Sequence, residues 1–177
     1  MIWTAPTPVA DAADTTSLIS VDNVTTIIAA LLAAAVAVIG YSVQQRAARR
    51  AQRASVYAEA LRAVEDYLES PYLIHRRDGT PEHRRQITEH ISSIKSRISY
   101  SCALLQLHAP QEVANAYEQY VRVAQLEAGP QMTAAWGTDP IAQDRDVPLG
   151  ASLPRNQADT ARRSAIVIMR ADVGNGL

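Results

Sequence analysis

The sequence predicts an all-α protein in which an N-terminal transmembrane helix continues into a small up-and-down cytoplasmic helical bundle of three to four helices. Two observations support this fold class. Residues 24–43 are 20 consecutive residues without a formal charge, and apolar side chains in the rest of the chain recur three or four residues apart. The chain has no Phe and only 5% aromatic residues, so its core must be built from Ala, Leu, Ile, Val and Tyr.

The first element is an arm, residues 1–23, which we predict to be flexible and extracytoplasmic. It contains Pro6, Pro8 and small polar residues, a composition that buries too little apolar surface to fold. Three Asp and no Lys or Arg lie within it, whereas four Arg follow the apolar run. The charge of the chain is therefore distributed unevenly about that run, although the net charge of the whole chain is only −1.

Residues 24–43 are predicted to form a transmembrane helix. As a helix the run is roughly 30 Å long, which matches the hydrocarbon core of a bilayer. Nine of its residues are Val, Ile or Leu, and together they favour insertion by roughly 3–5 kcal/mol. Two alternatives fit less well. A cleaved signal peptide would have a basic N-terminal region, and a buried helix of a soluble domain would show a polar face.

Four arginines follow the run directly, at Arg46, Arg49, Arg50 and Arg53. Because Lys and Arg accumulate on the cytoplasmic side of a span, they predict a single-pass protein of the cell inner (cytoplasmic) membrane, with its N-terminus outside and its C-terminus in the cytoplasm. Their spacing places them on one helix face, where they are predicted to contact anionic headgroups at the membrane surface. The alternative is that they serve only as a topology signal.

Within the run, Ala29, Ala33 and Ala37 repeat every four residues. Small residues at this spacing let two transmembrane helices approach closely, so the pattern predicts self-association of this helix and a homo-oligomer. The same pattern also arises by chance in a chain as rich in Ala as this one.

Residues 44–136 are predicted to form the helical bundle. The first helix continues to about Glu69, where SPY at residues 70–72 interrupts it. The following turn, HRRDG, offers paired arginines to a phosphate but is also what a charged turn between helices normally contains. Thr80 is expected to cap a second helix from Pro81 to about His108. The apolar seam of this helix is Ile87, Ile91, Ile94, Ile98, Cys102 and Leu105.

A third helix is predicted to open at Pro110 and to close at Gly129-Pro130, with one further turn at QMTAAW. Residues 137–155 contain three Pro and two Gly and are predicted to form a loop. Residues 156–177 are predicted to be a C-terminal helix and tail, with Asn156 as the cap. The inward residues expected on the last two helices are Val113, Ala116, Tyr117, Tyr120, Val121, Ala124, Ala161, Ala165, Ile168 and Met169.

Titratable and nucleophilic side chains form no recognisable catalytic motif in the sequence. His83 and His90 are seven residues apart, roughly 10.5 Å along a helix, which is too far for one metal ion. Cys102 lies on an apolar seam, and there is no second cysteine with which it could form a disulfide. Gly-rich phosphate loops are missing. We therefore predict no enzymatic activity, no metal, no cofactor and no nucleic-acid partner.

Four strings carry a resemblance to a known group of proteins: SVYAEALRAVEDYLESPYLIHRRDG, EHISSIKSRISY, EAGPQMTAAW and DRDVPLG. At these positions the chain resembles small, uncharacterised single-span membrane proteins of actinobacteria and their phages, over about Val24 to Arg170. The resemblance implies a lineage and an architecture. Since that group has no assigned activity, it implies no functional residue.

These features predict a membrane-anchored cytoplasmic helical interaction or adaptor protein without enzymatic activity. Its predicted partners are a bilayer with anionic headgroups, other copies of the chain and an unidentified protein. The alternative is a phage-type membrane effector, holin-like or superinfection-blocking, that acts through an oligomerised span. The two differ in whether the span only anchors the bundle or itself disturbs the membrane.

Overall fold

Four α-helices make up most of the chain that the computed structural model describes, which is residues 21–142 and 153–175. The helices are α1 (Val21–His75), α2 (Pro81–His108), α3 (Gln111–Trp136) and α4 (Asn156–Asn175). No strand occurs within the two described ranges. The fold class is confirmed: the protein is all-α, with a long apolar N-terminal helix followed by a helical bundle.

The chain divides into two units within α1, Met1–Gln45 and Arg46–Leu177. The first unit contains the apolar part of α1. The helix begins at Val21, three residues before the predicted start at Val24. The rest of the predicted arm, residues 1–20, lies outside the described residues, as does most of the predicted loop, residues 143–152.

The second unit is an up-and-down bundle in which α2 runs antiparallel to α1, and α3 antiparallel to α2. Side-chain contacts establish this order. Arg97 of α2 donates hydrogen bonds to Glu59 and Asp66 of α1, each at 2.9 Å. Gln106 of α2 donates to Glu118 of α3, close to the short connection between these two helices.

Helix α4 packs antiparallel to α3, and α3 supplies the cap for its N-terminus. The carboxylate of Glu127 accepts hydrogen bonds from the backbone N–H groups of Gln157 and Ala158, at 3.0 and 2.9 Å. Asn156, the predicted cap, is instead the first residue of α4. The expectation failed because the first free N–H groups of a helix need an acceptor, and here it comes from a neighbouring helix rather than from the adjacent side chain.

The core lies where the apolar stripes of the four helices meet. On α2 the predicted seam is largely confirmed, since Ile87, Ile94, Ile98 and Leu105 are buried and Ile91 and Cys102 are partly buried. Much of the remaining core is alanine, which lets helix backbones approach closely. The buried alanines are Ala60, Ala63, Ala114, Ala124, Ala128, Ala135, Ala158 and Ala165.

Buried tyrosines supply the bulk that Phe would otherwise give. A buried phenol requires a hydrogen-bond partner, because leaving a buried polar group unpaired costs about 1–3 kcal/mol. Three of the tyrosine hydroxyls meet this need with an acceptor on another helix. Tyr57 donates to Asp172 at 2.7 Å, Tyr117 to the carbonyl of Ala60 at 3.0 Å, and Tyr120 to Glu65 at 2.5 Å.

Two prolines lie inside helices that the sequence predicts to end there. Helix α1 continues through Pro71 to His75, and α3 continues through Pro130 to Trp136. A proline in a helix interior costs about 3 kcal/mol, because it removes one hydrogen bond and crowds the preceding turn. The extra turn of α1 buries Ile74 completely, and packing of this kind offsets the cost. Tertiary contact therefore overrides the local signal at both prolines.

The turn after α1 is held by a buried arginine. The Arg77 guanidinium donates to the carbonyl oxygens of Ile74 (3.0 Å), Ala135 (2.8 Å), Trp136 (3.3 Å) and Thr138, and it lies 5.2 Å from the centre of the Trp136 ring. These carbonyls belong to the C-terminal ends of α1 and α3, which carry partial negative charge. Arg77 thus joins two helix ends, and it is buried rather than presented to a phosphate.

The rest of the same corner follows the sequence prediction more closely. Thr80 is the N-cap of α2, with its side chain accepting from the backbone N–H of His83 at 3.2 Å, and Pro81 is the first helical residue. Gly79 has a φ of +80°, and a Cβ built on it would lie 2.9 Å from Pro140. Glycine is therefore required at this position both by its backbone conformation and by space.

We expect Arg77→Ala to lower the free energy of unfolding by about 3 kcal/mol, because several buried carbonyl oxygens lose their donor. The matched control is Arg76→Ala on the exposed neighbour, for which we expect less than about 0.5 kcal/mol. Urea unfolding of the full chain in detergent, followed by circular dichroism, measures both. Equal effects of the two substitutions would show that Arg77 does not act as a clamp.

Candidate functional site

The apolar segment of α1 is the first candidate site. Among the described residues, α1 is the one helix that is long and apolar enough to cross a membrane. None of its most apolar 18-residue window is buried. Leu31, Leu32, Val36 and Val38 are each more than 60% exposed. Contiguous exposure of this kind marks a surface that contacts lipid or another apolar partner.

The three alanines predicted to mediate self-association lie on this segment. Ala29, Ala33 and Ala37 are exposed and share one face of α1, as their spacing requires. Their side chains are small enough for a second helix to approach closely. Self-association through this face remains a prediction from the sequence.

The four arginines predicted to contact the membrane surface lie in the second unit, at the start of its portion of α1. Arg46 and Arg49 are exposed and Arg50 is partly buried. The Nη1 atom of Arg53 lies 3.6 Å from Oδ2 of Asp172 on α4. Within the predicted stripe, Arg46 and Arg49 are therefore available at the surface, whereas Arg53 also contacts another helix of the bundle. Helical spacing alone does not reveal this difference.

Asp172 also accepts a hydrogen bond from the Tyr57 hydroxyl, so two contacts join the C-terminal end of α4 to α1. Burial raises the pKa of Tyr57 well above its ordinary value of 10.0, and the hydrogen bond to Asp172 adds a smaller increase. The phenol accordingly stays protonated and remains a donor at physiological pH. Arg53 offsets part of this effect through its positive charge.

A second polar cluster, absent from the sequence prediction, surrounds Glu65. Its carboxylate accepts from the Tyr120 hydroxyl (2.5 Å), from Arg155 (2.5 Å) and from Arg162 (3.2 Å). Arg155 also bonds to Asp159 at 3.1 Å. The side chains of Glu65 and Arg155 are 29% and 27% exposed. The partners are about 55 to 97 positions apart in sequence, so no local pattern could reveal the cluster.

The environment of Glu65 favours its charged form. Burial alone would raise its pKa, but the hydrogen bonds from Tyr120 and Arg155 and the charges of Arg155 and Arg162 lower it below the ordinary value of 4.5. Conversely, burial and then the hydrogen bond to Glu65 raise the pKa of Tyr120. The cluster is therefore a carboxylate held ionised by cations and a neutral phenol, which is an arrangement that stabilises helix packing.

Within the part of the chain that the structure describes, no group of three or more His, Cys, Asp or Glu side chains is placed to hold a metal ion. His83 Nδ1 accepts from the backbone N–H of Asp78 at 3.2 Å. Burial, followed by the negative charge of Glu118, raises the pKa of the partly buried Cys102 thiol. A raised pKa disfavours the thiolate, which is the nucleophilic form.

Two of the concave surfaces on the described part of the bundle have partly apolar linings. A groove of about 880 Å³ lies between α3 and α4 and includes Ala116, Val123, Ala161 and Ile168 among its apolar residues. A cavity of about 420 Å³ lies between α1 and the end of α2. Both are within the size range of ligand-binding clefts, and the sequence predicted neither of them.

Glu65→Gln tests whether the cluster stabilises the bundle. At pH 7 we expect the free energy of unfolding to fall by about 1–3 kcal/mol, because charge-assisted hydrogen bonds are weakened. Since the folded-state pKa of Glu65 is lowered, its stabilising effect is present above pH 4.5 and is lost as the pH falls through the folded-state pKa. Acid should therefore destabilise the parent chain more than the variant.

The matched control is Glu69→Gln, since Glu69 lies on the same helix, and its 58% exposed side chain forms a longer ion pair with Arg155, at 3.5 Å. We expect this control to change the free energy of unfolding by less than about 0.5 kcal/mol. Thermal unfolding of the full chain in detergent between pH 3 and pH 7 provides both readouts. An unchanged pH dependence in Glu65→Gln would assign the acid response to other carboxylates.

Comparison of the chain with protein-family models, with curated proteins and with solved structures gives no match. The resemblance to single-span proteins of actinobacteria and their phages is thus a prediction that these comparisons leave untested.

Proposed function

We propose that this protein is a single-span membrane tether that holds a helical bundle at the inner face of the cytoplasmic membrane and acts there through protein contacts, without catalysis. The N-terminal arm lies outside the cell and the bundle lies in the cytoplasm. The partners are the bilayer, other copies of the chain and a further protein.

The observation that carries this proposal is the uninterrupted apolar surface of α1. From Ile27 to Val43 every large apolar side chain is more than half exposed. The Val, Ile and Leu residues of this segment favour insertion into lipid by roughly 3–5 kcal/mol, whereas in water the same surface would promote aggregation. A bilayer surrounds the segment with hydrocarbon along its whole length. A single protein partner would have to cover the helix on every side to bury the same surface.

The orientation rests on the charges that flank the segment. Arg46, Arg49, Arg50 and Arg53 follow it, and no Lys or Arg precedes it. Basic residues close to the end of a span are retained on the cytoplasmic side, so the bundle is assigned to the cytoplasm. The exposed Arg46 and Arg49 are then positioned in sequence to contact anionic headgroups, each contributing about 1 kcal/mol.

The bundle offers surfaces suited to protein contact. The α3–α4 groove combines an apolar floor with amide and hydroxyl side chains, and Glu112 is the one titratable residue among those that line it. Elsewhere on the same two helices, Leu126 and Val167 are 70% and 68% exposed. A groove without an acid–base pair favours shape-dependent docking over chemistry, which supports an adaptor role.

Leu32→Arg combined with Val36→Arg tests membrane insertion of the full chain. Each arginine near the middle of a span costs about 2.5–3.5 kcal/mol, so the pair exceeds the gain of roughly 3–5 kcal/mol from the apolar residues. We expect the parent chain to resist extraction from membranes at alkaline pH and the variant to be released. The matched control places two arginines on exposed bundle positions, Leu107→Arg with Leu126→Arg, and should remain in the membrane.

Thiol labelling in intact cells tests orientation. In a Cys102→Ser background, we expect a membrane-impermeant maleimide to label Thr7→Cys before lysis and Lys95→Cys only after lysis. The reverse pattern would contradict the proposed topology.

A potential-sensitive dye in the same cells separates the two functions. An unchanged membrane potential supports the tether, whereas its collapse on expression of the full chain would favour the membrane-effector alternative.

A further inference from the structure

The cavity between α1 and the C-terminal end of α2 has two chemically distinct parts. Its volume is about 420 Å³. Arg49, Arg53 and His108 form a basic rim, and Val56 and Leu104 belong to an apolar wall. Amphipathic division of this kind suits a ligand that joins an anionic group directly to a hydrocarbon chain.

The rim is electropositive. Among the described residues that line the cavity, none is acidic, and the further polar side chains are the neutral Gln52 and Tyr57. The Tyr57 hydroxyl donates to Asp172, which lies outside the lining. Arg53 lies 3.6 Å from Asp172, which is too long for a hydrogen bond, and its side chain is 51% exposed. A guanidinium has five N–H donors in a planar fork that matches a phosphate. Charge complementarity therefore points to an anion with phosphate geometry.

The wall distinguishes a lipid from a free phosphate. Leu105 is buried at its base, while Val56, Leu104 and Ala109 are partly buried. A free phosphate would gain nothing from these side chains, whereas an acyl chain would remove apolar surface from water at roughly 25 cal/mol per Å². The two parts of the cavity together select an anionic amphiphile.

The short chain between the apolar segment and the cavity supports the same ligand. Arg49 follows Val43 by six residues, which span at most about 20 Å even when fully extended. If the apolar segment is in a bilayer, as proposed above, lipid headgroups are within reach of the cavity at a high effective concentration.

We propose that the cavity binds one anionic phospholipid, with its phosphate on Arg49 and Arg53 and the first part of an acyl chain against Val56, Leu104 and Leu105. This inference rests on the proposed membrane tether and adds a specific lipid site to it. Bound lipid fills the space between α1 and α2 and thereby couples the packing of the bundle to the composition of the membrane.

The test is native mass spectrometry of the full chain in a non-ionic detergent, titrated with phosphatidylglycerol or phosphatidylcholine. We expect one phosphatidylglycerol to bind at least about tenfold more tightly than phosphatidylcholine. Arg49→Gln should weaken phosphatidylglycerol binding about fivefold. The matched control is Arg62→Gln, which removes the same charge from an exposed position on the same helix, outside both the cavity lining and the arginine stripe, and should leave the affinity unchanged.

A second variant, Leu104→Gln, tests the apolar wall and should also weaken phosphatidylglycerol binding, while its thermal unfolding is compared with that of the parent chain. Equal losses in Arg62→Gln and Arg49→Gln would indicate diffuse surface attraction and overturn the proposal. The proposal would also be overturned if inorganic phosphate fully displaced phosphatidylglycerol and Leu104→Gln bound phosphatidylglycerol as tightly as the parent chain. A chain that stays in membranes but shows no lipid preference refutes the cavity proposal and leaves the tether intact.

Discussion

The carboxylate of Glu65 is the point at which three of the described helices meet. It lies on α1 and accepts from Tyr120 of α3, from Arg155 immediately before α4 and from Arg162 on α4. Because these groups are partly buried, each depends on the others for compensation of its charge or polarity. Loss of one member would leave an uncompensated neighbour, so the contacts bind α1, α3 and α4 into one cooperative unit. The two helices that line the α3–α4 groove are both held by these contacts.

Contacts of long sequence range also close the ends of the helices. Arg77 donates to C-terminal carbonyls of both α1 and α3, while Glu127 of α3 accepts from the first N–H groups of α4. The C-terminal end of α3 and the N-terminal end of α4 are thus satisfied by groups from distant parts of the chain rather than by local caps. A core rich in alanine specifies a unique helix packing only weakly, because its side chains have little shape. The polar contacts supply the missing specificity.

The sequence predicted the parts of this structure that depend on local pattern. The Ile87–Leu105 seam, the Thr80 cap and the apolar length of α1 follow from periodicity and capping chemistry alone. Pro71 and Pro130 mislead because packing compensates for a missing backbone donor. Arg77 and Glu65 look like ordinary surface charges in the sequence, since their partners are distant along the chain. The cavity between α1 and α2 likewise combines residues from two helices, although its arginines were already conspicuous in the sequence as a stripe.

The phenols in the core have a consequence for motion within the bundle. Tyr117 reaches the carbonyl of Ala60, and Tyr120 reaches Glu65 one turn further along α1. A displacement of α3 by a single turn, about 5.4 Å, would break both bonds together, whereas phenylalanines in the same places would tolerate sliding. Piston-like travel of one helix along the other therefore costs both hydrogen bonds at once, and the two phenols fix the register of α3 against α1.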